Sequence, residues 1–411
     1  MKPPTRSRVL ERPVTPRPDA GEVARDLGPA YAVNGTVGLI FATTGPLAII
    51  LAVGTQGGLS QEQLASWIFG SYGLAGVLTV LSSWVYRQPL SFFWTIPGTV
   101  LVGPALGHLS WPEVVGAFLA TGLLMLALGL TGWVGRVMDL LPMPIVMAMV
   151  AAVFLRFGLD LVLSLVDDPV VAVPMVVAFL LLSAHAVLQR RVPPILAALV
   201  VGAVAVGVTG SFEPEGSTTT WVVRPLLTAP DFSWTAMVEL VVPLAITVLV
   251  VQNGQGVAVL RQAGHVPPVN AITIGCGVWS VAGALVGSVS TCLTGPTNAL
   301  LTSSGTRERQ YTAGIVCGVL ATVFGVFAPL FTGLMLAMPA SFIAALGGLA
   351  MLRALQASFV TAFSGRFTLG ALVTFLVTVA DVQLLNIGAA FWGLVAGYLV
   401  SRLMERPDFA R

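Results

Sequence analysis

The sequence predicts an all-α polytopic membrane protein. About fourteen transmembrane helices are expected, in a 7+7 inverted repeat with broken third and tenth helices. Three observations predict this. First, the 411 residues are 56% hydrophobic and only 9% charged, against roughly 25% charge in soluble domains. Second, apolar runs long enough to span a bilayer recur along the chain, and the basic residues between them fall almost entirely on one side. Third, two short apolar stretches at corresponding places in the two halves are each interrupted by proline and glycine.

The elements follow in order. Residues 1–27 are polar and rich in Arg and Pro, with no apolar core, so they read as a disordered cytoplasmic tail without a cleavable signal. Apolar runs lie at about 29–53, 63–85, 89–107, 112–132, 138–157, 169–189 and 193–210, giving a first repeat over 28–210. The polar stretch 211–235 reads as an extracytoplasmic loop. Further runs lie at about 236–260, 269–287, 288–304, 311–334, 337–356, 367–384 and 387–404, giving a second repeat over 236–405 and a cytoplasmic tail at 406–411. With the amino terminus inside, eighteen of the twenty basic residues fall on the inner side, leaving Arg156 and Arg224 outside. Arg87, Arg136, Arg190, Arg191, Arg261, Arg307, Arg309, Arg353 and Arg366 then occupy inner loops, with Lys2, Arg6, Arg8 and Arg411 among the tail charges. A miscounted span would invert every later loop and spoil that bias, so both termini are expected in the cytoplasm.

An internal duplication supports the same count. Met143-Pro144 and Arg156 match Met338-Pro339 and Arg353, while Phe179-Leu180 and Gly202 match Phe375-Leu376 and Gly397. Seven spans per unit is odd, so the second unit must be inverted.

The breaks are Pro97-Gly98-Thr99 and Gly295-Pro296-Thr297. A helix interrupted in lipid leaves backbone groups unpaired, so the break must be buried in protein or line a cavity. A matched pair of breaks points to a transporter binding site. Each starts a new half-helix, with proline tolerated at its first positions. Amide groups near Gly98, Thr99, Thr297 and Asn298 are then expected to face a shared centre that favours an anion. The amides Gln252, Asn253 and Gln255 stand in an apolar span and need partners, either a substrate or neighbouring helices. Asn34, Thr36, Thr43 and Thr44 offer a weaker polar set in the first span. Trp94 precedes the first break and is placed to stack on a ligand ring, while Phe92 and Phe93 read as core. Ser290, Thr291 and Thr294 flank the second break. The span-embedded acids Asp139, Glu239 and Asp381 all lie near span ends. Glu239, Asp381 and His185 are the candidates for coupling to protons.

Cys276, Cys292 and Cys317 are odd in number and embedded in apolar runs, so free packed thiols are expected. No metal pair, phosphate loop or nucleophile elbow is present in the sequence, so an enzyme is not expected and neither is a cofactor. A net charge of +2 gives no reason to expect nucleic acid.

Several patches resemble the benzoate transporter (BenE) family of bacterial membrane proteins. They are YRQPLSFFWTIPG from Tyr86 to Gly98, LRFGL from Leu155 to Leu159, QNGQGVAVLRQAG from Gln252 to Gly264, and VTFLV with IGAAFWGLVAG between Val373 and Gly397. The resemblance implies proton-coupled symport of benzoate or a similar small aromatic carboxylate across the bacterial inner membrane. It implies the fold shared with uracil permeases, with spans 1–4 and 8–11 as a core domain and spans 5–7 and 12–14 as a gate domain. Substrate would bind between the third and tenth spans beside the eighth. Gln252 takes the place where nucleobase transporters carry an acid, and a neutral amide suits an anionic ligand. The expected partners are a small organic anion, protons and the bilayer, with a homodimer left open. A nucleobase transporter of the same fold, an anion channel and a non-transporting scaffold are the alternatives.

Overall fold

The computed structural model describes residues 10–134, 142–185, 193–213, 220–303, 305–381, 384 and 387–409. Asp139, Arg136, Arg190, Arg191 and the tail charges Lys2, Arg6, Arg8 and Arg411 lie outside the described residues.

Every apolar stretch named above contains a helix. In chain order these are α1 (Ala20–Asp26), α2 (Pro29–Gln56), α3 (Gln61–Tyr86), β1 (Phe92–Trp94), α4 (Ile96–Ala105), α5 (Trp111–Thr131), α6 (Met143–Asp167), α7 (Pro169–Ala184) and α8 (Pro194–Thr209). There follow α9 (Trp234–Gln262), α10 (Val269–Leu285), β2 (Thr291–Leu293), α11 (Gly295–Leu301), α12 (Tyr311–Val326), α13 (Ala328–Leu336), α14 (Ala340–Phe363), α15 (Thr368–Ala380), α16 (Ala389–Met404) and α17 (Arg406–Phe409). Among the described residues, seven helices are long and apolar enough to cross a bilayer on their own, α2, α3 and α9 among them. The molecule is a mostly helical membrane protein.

Local chemistry sets the helix starts. Asp19 with Glu22, Ser60 with Gln63 and Ser110 with Glu113 each form a reciprocal capping box. Prolines stand in the first turns of α2, α4, α5 and α11, where a missing N–H costs nothing. The stretch expected as a structureless tail is thus partly helical, since α1 is fixed by its own capping box. Asp26 at its end bonds Tyr311 Oη at 2.9 Å and pairs with Arg87 at 3.3 Å. The amino-terminal segment and the basic loops at Arg87 and Arg307–Arg309 therefore meet at one end of the molecule.

Packing divides the helices into two sets. One comprises α2, α3, α4, α5, α9, α10, α11 and α12, with α5 against α10 and α12 against α2 and α3. The other comprises α6, α7, α8, α14, α15 and α16, with α6 against α14 and α15 against α16. Where α3 crosses α12 the backbones touch. A Cβ on Gly76 would lie 2.6 Å from the Gly318 carbonyl oxygen, and one on Gly318 would lie 2.7 Å from that of Gly76. Small residues permit such approach between membrane helices. The three cysteines are buried and free.

The polar stretch before α9 lies as an extended strap over helix ends of the first set. Val223 N–H donates to Val326 O, Leu226 N–H to Ser66 Oγ, Thr228 N–H to Leu285 O and Asp231 N–H to Pro112 O.

Candidate functional site

The two interrupted segments are not helix–break–helix. Each enters as an extended strand, and the strands pair antiparallel, with Phe93 opposite Cys292. Residues Ser91–Thr95 and Ser290–Thr294 carry aromatic, hydroxyl and β-branched side chains, which suit extended backbone. A two-stranded ribbon inside a helical protein has outer edges that need partners. Side chains supply them. Thr79 Oγ1 accepts from Phe92 N–H at 2.8 Å, Asn253 Oδ1 from Leu293 N–H at 2.7 Å and Ser280 Oγ from Thr291 N–H at 2.9 Å. Asn298 Oδ1 accepts from Ser91 N–H at 2.9 Å.

This corrects two site expectations. Asn253 and Asn298 are buried amides that satisfy the ribbon's backbone, and neither lines the central cavity. The spacing held a signal for Asn253: residues 252 and 255 share a helix face, while 253 is turned about 100° away. Replacing Asn253 with alanine would leave the Leu293 N–H buried without an acceptor, at a cost of about 1–3 kcal/mol. The Asn253→Ala protein is expected to melt several degrees lower in a thermal unfolding assay. An unchanged melting point would remove the amide from the scaffold.

Both half-helices start in the middle of the molecule, but their caps differ. Thr95 Oγ1 accepts from Gly98 N–H at 3.2 Å, and Thr95 O from Thr99 N–H at 2.9 Å. In α11 the Asn298 N–H donates to Thr294 O at 3.2 Å, while Thr294 Oγ1 turns away to the Ser91 carbonyl. The amides of Gly98, Thr99 and Asn298 are therefore consumed within the protein, against expectation. Among the described residues, the N–H groups of Ile96, Gly295 and Thr297 have no acceptor at these helix starts. Gly98 and Thr99 are buried and do not line the central cavity. Glycine at 295 lets α9 approach, since a Cβ there would come within 2.5 Å of the Gln255 side chain.

A cavity of about 520 Å³ opens against these starts, within the range of small-molecule sites. Of the nine predicted substrate-binding residues the structure brings five to it: Trp94, Gln252, Gln255, Thr294 and Thr297. Gln252 sits in a widened helical turn over Thr247–Asn253, a distortion often found at functional sites. Neither Gln252 nor Gln255 uses its amide on another described residue. Trp94 packs against Tyr72 with ring centroids 4.6 Å apart and planes tilted at 57°, and its indole N–H has no partner among the described residues. The far wall comes from α6 and α14, including Phe154 and Arg353, and from the ends of α7 and α8. These contributions were not anticipated as site residues. The cavity is lined mostly by apolar and aromatic side chains, with Gln252, Gln255, Thr294 and Thr297 contributed by α9 and the start of α11, and Ser183, Arg353 and Ser358 by the opposite wall.

The expected proton-coupling residues lie elsewhere. Glu239 is buried and bonds His108 Nε2 at 2.9 Å. Asp381, the residue after α15, pairs with Arg156 of α6. Both acids line a separate small cavity of about 50 Å³. His185 is the exposed residue that ends α7. The hydroxyls of Thr36, Thr43 and Thr44 bond to carbonyls of their own helix.

A bundle of apolar helices with two half-helices meeting at a central cavity is the architecture of a membrane transport protein. Solved structures agree in fold. The transmembrane domain of a cyanobacterium bicarbonate transporter, BicA, superposes with a TM-score of 0.62 at 15% identity, covering 94% of this chain and all of that one. The murine solute carrier 26 family member A9 anion transporter in its inward-facing state gives 0.59 at 14%, covering 91% of this chain and 68% of that one. The chain belongs to the BenE family, described as benzoate membrane transport protein, whose family model matches residues 25–403. Inner membrane protein YdcO of Escherichia coli (strain K12) is 31% identical over 387 residues, covering 92% of this chain and 97% of that protein. The benzoate membrane transport protein of Acinetobacter baylyi (strain ATCC 33305 / BD413 / ADP1) is 27% identical over 390 residues, covering 93% and 97%. Family and relatives point to transport rather than enzymatic catalysis.

Proposed function

We propose that this protein is a proton-coupled symporter of benzoate or a similar small aromatic carboxylate. It would work by alternating access in the bacterial inner membrane, with both termini cytoplasmic. The single observation that carries the reading is the makeup of the cavity. Aromatic walls meet two amides without partners among the described residues and two helix N-termini, and no described acid lines it. The carboxylate would sit at the Ile96, Gly295 and Thr297 N–H groups, where helix dipoles favour negative charge. Gln252 and Gln255 would orient it, and Trp94 would contact the ring.

The 7+7 inverted repeat of fourteen spans is part of this proposal. The set containing α4 and α11 would be the core and the set containing α6 and α14 the gate. Rocking between them would move the site from one side to the other. Proton uptake is assigned to the group Glu239, His108 and Asp381 rather than to the substrate cavity.

Purified protein in liposomes is expected to accumulate labelled benzoate when an inward proton gradient is imposed, and to stop when a protonophore collapses it. No uptake of benzoate under the gradient would remove the substrate assignment. Competition by uracil or xanthine but not by benzoate would favour a nucleobase carrier. Flux that follows the anion gradient and ignores pH would favour a channel.

A further inference from the structure

Among the described residues, the two ends of the helix set α6, α7, α14 and α15 differ in charge. The matched positions of the two halves lie 195–197 residues apart, as Met143 and Met338, Arg156 and Arg353, and Phe179 and Phe375 show. Applied to the residues around the two arginines, the same offset pairs Asp381 with His185 and Asp160 with Gln356. The secondary structure agrees: Asp381 is the first residue past α15 and His185 the first past α7. The packing agrees too, since α15 lies on α6 and α7 on α14.

At one mouth Arg156 is ion-paired with Asp381, and Asp160 follows one turn later on the same helix. At the other, both acid positions are neutral or weakly basic. Arg353 donates to Gln356 Oε1 at 3.1 Å and pairs with no acid among the described residues. It is exposed, and among the described residues it is the one charged side chain lining the 520 Å³ cavity. Ser183, two residues before His185, lines the same cavity. Among the described residues, one mouth thus holds an arginine paired with an acid, while the other holds an exposed guanidinium without one.

We infer that Arg353 forms an anion-docking subsite at the mouth of the cavity, where the substrate's carboxylate is held before it reaches the half-helix starts or after it leaves them. This rests on the carboxylate reading above. The planar fork of guanidinium donors matches a carboxylate in bidentate fashion, which lysine does not reproduce. An exposed cation at a pathway entrance acts through a screened field, so its contribution falls as salt rises. Arg353 belongs to the far wall from Gln252, so it would act as a stepping point and not as part of the central site.

The test is labelled benzoate counterflow in liposomes with wild type, Arg353→Gln and Arg353→Lys, at low and high ionic strength. The wild type is expected to show a KM that rises with salt. Arg353→Gln should raise the low-salt KM about tenfold, erase its salt dependence and leave maximal exchange within about twofold. Arg353→Lys should keep the salt dependence with an intermediate KM. A merely structural arginine would lower the melting point without changing the salt response. If Arg353→Gln matches a transporting wild type in KM and salt dependence, the docking site is overturned and the substrate assignment stands. If the wild type exchanges no benzoate, both fall.

Discussion

Gln252→Ala is expected to lower benzoate uptake at least tenfold while the melting point stays near that of the wild type. Gln252 is 7% exposed, lines the cavity beside Thr294 and Thr297, and spends its amide on no other described residue. Its amide makes no hydrogen bond to another described residue. Its loss should therefore chiefly remove what the amide would give a bound anion. A hydrogen bond to a charged group contributes about 1.5–3 kcal/mol, which corresponds to roughly 10–150-fold in affinity. Parallel measurement of initial uptake and thermal unfolding separates this from general damage. Normal uptake by a stable Gln252→Ala protein would take the residue out of the site. The contrast with Asn253→Ala, which should lose stability first, tests the division of labour between adjacent amides.

Gly318→Leu is expected to prevent accumulation of folded protein. Gly318 and Gly76 face each other across the α3–α12 crossing, with each prospective Cβ under 3 Å from the opposite carbonyl. A leucine there must drive two backbones apart rather than displace a movable side chain. Overpacking of interiors costs about 1–3 kcal/mol where neighbours can shift, and a backbone opposite shifts least. The same crossing carries Tyr72, whose hydroxyl donates to Ala42 O at 2.6 Å and whose ring supports Trp94. Separation there would reach the cavity. Size-exclusion profiles and melting curves of Gly318→Ala and Gly318→Leu provide the check. A monodisperse leucine variant with unchanged melting would show that the contact is looser than the backbone positions require.

Much of this arrangement was legible in the sequence. Hydropathy located the helices, and proline beside glycine located the starts of α4 and α11, because only a helix start tolerates proline without losing a bond. The ribbon was not legible. Phe92-Phe93-Trp94 and Thr291-Cys292-Leu293 are as apolar as the helices around them, so hydropathy has no means of separating the two states, and three residues show no period. The roles of Asn253 and Asn298 were hidden for a related reason. A buried amide must find a partner, but composition does not say whether that partner is a ligand or a neighbouring backbone. All three amides of α9 were read as cavity residues; helical spacing puts Gln252 and Gln255 on one face, and those two line the cavity. Arg353 was read as an inner-loop charge and as the counterpart of Arg156. Its place in the cavity wall came only with the packing of α6 and α14, which local sequence does not encode.

The strap ahead of α9 fastens the termini of α5, α10 and α12 through main-chain bonds, which are insensitive to side-chain substitution, and that of α3 through the Ser66 hydroxyl. Four rods tied at one end resist being sheared past one another. In the alternating-access reading proposed above, the strapped set would be the half that stays still, and displacement would fall to α6, which no described strap bond reaches.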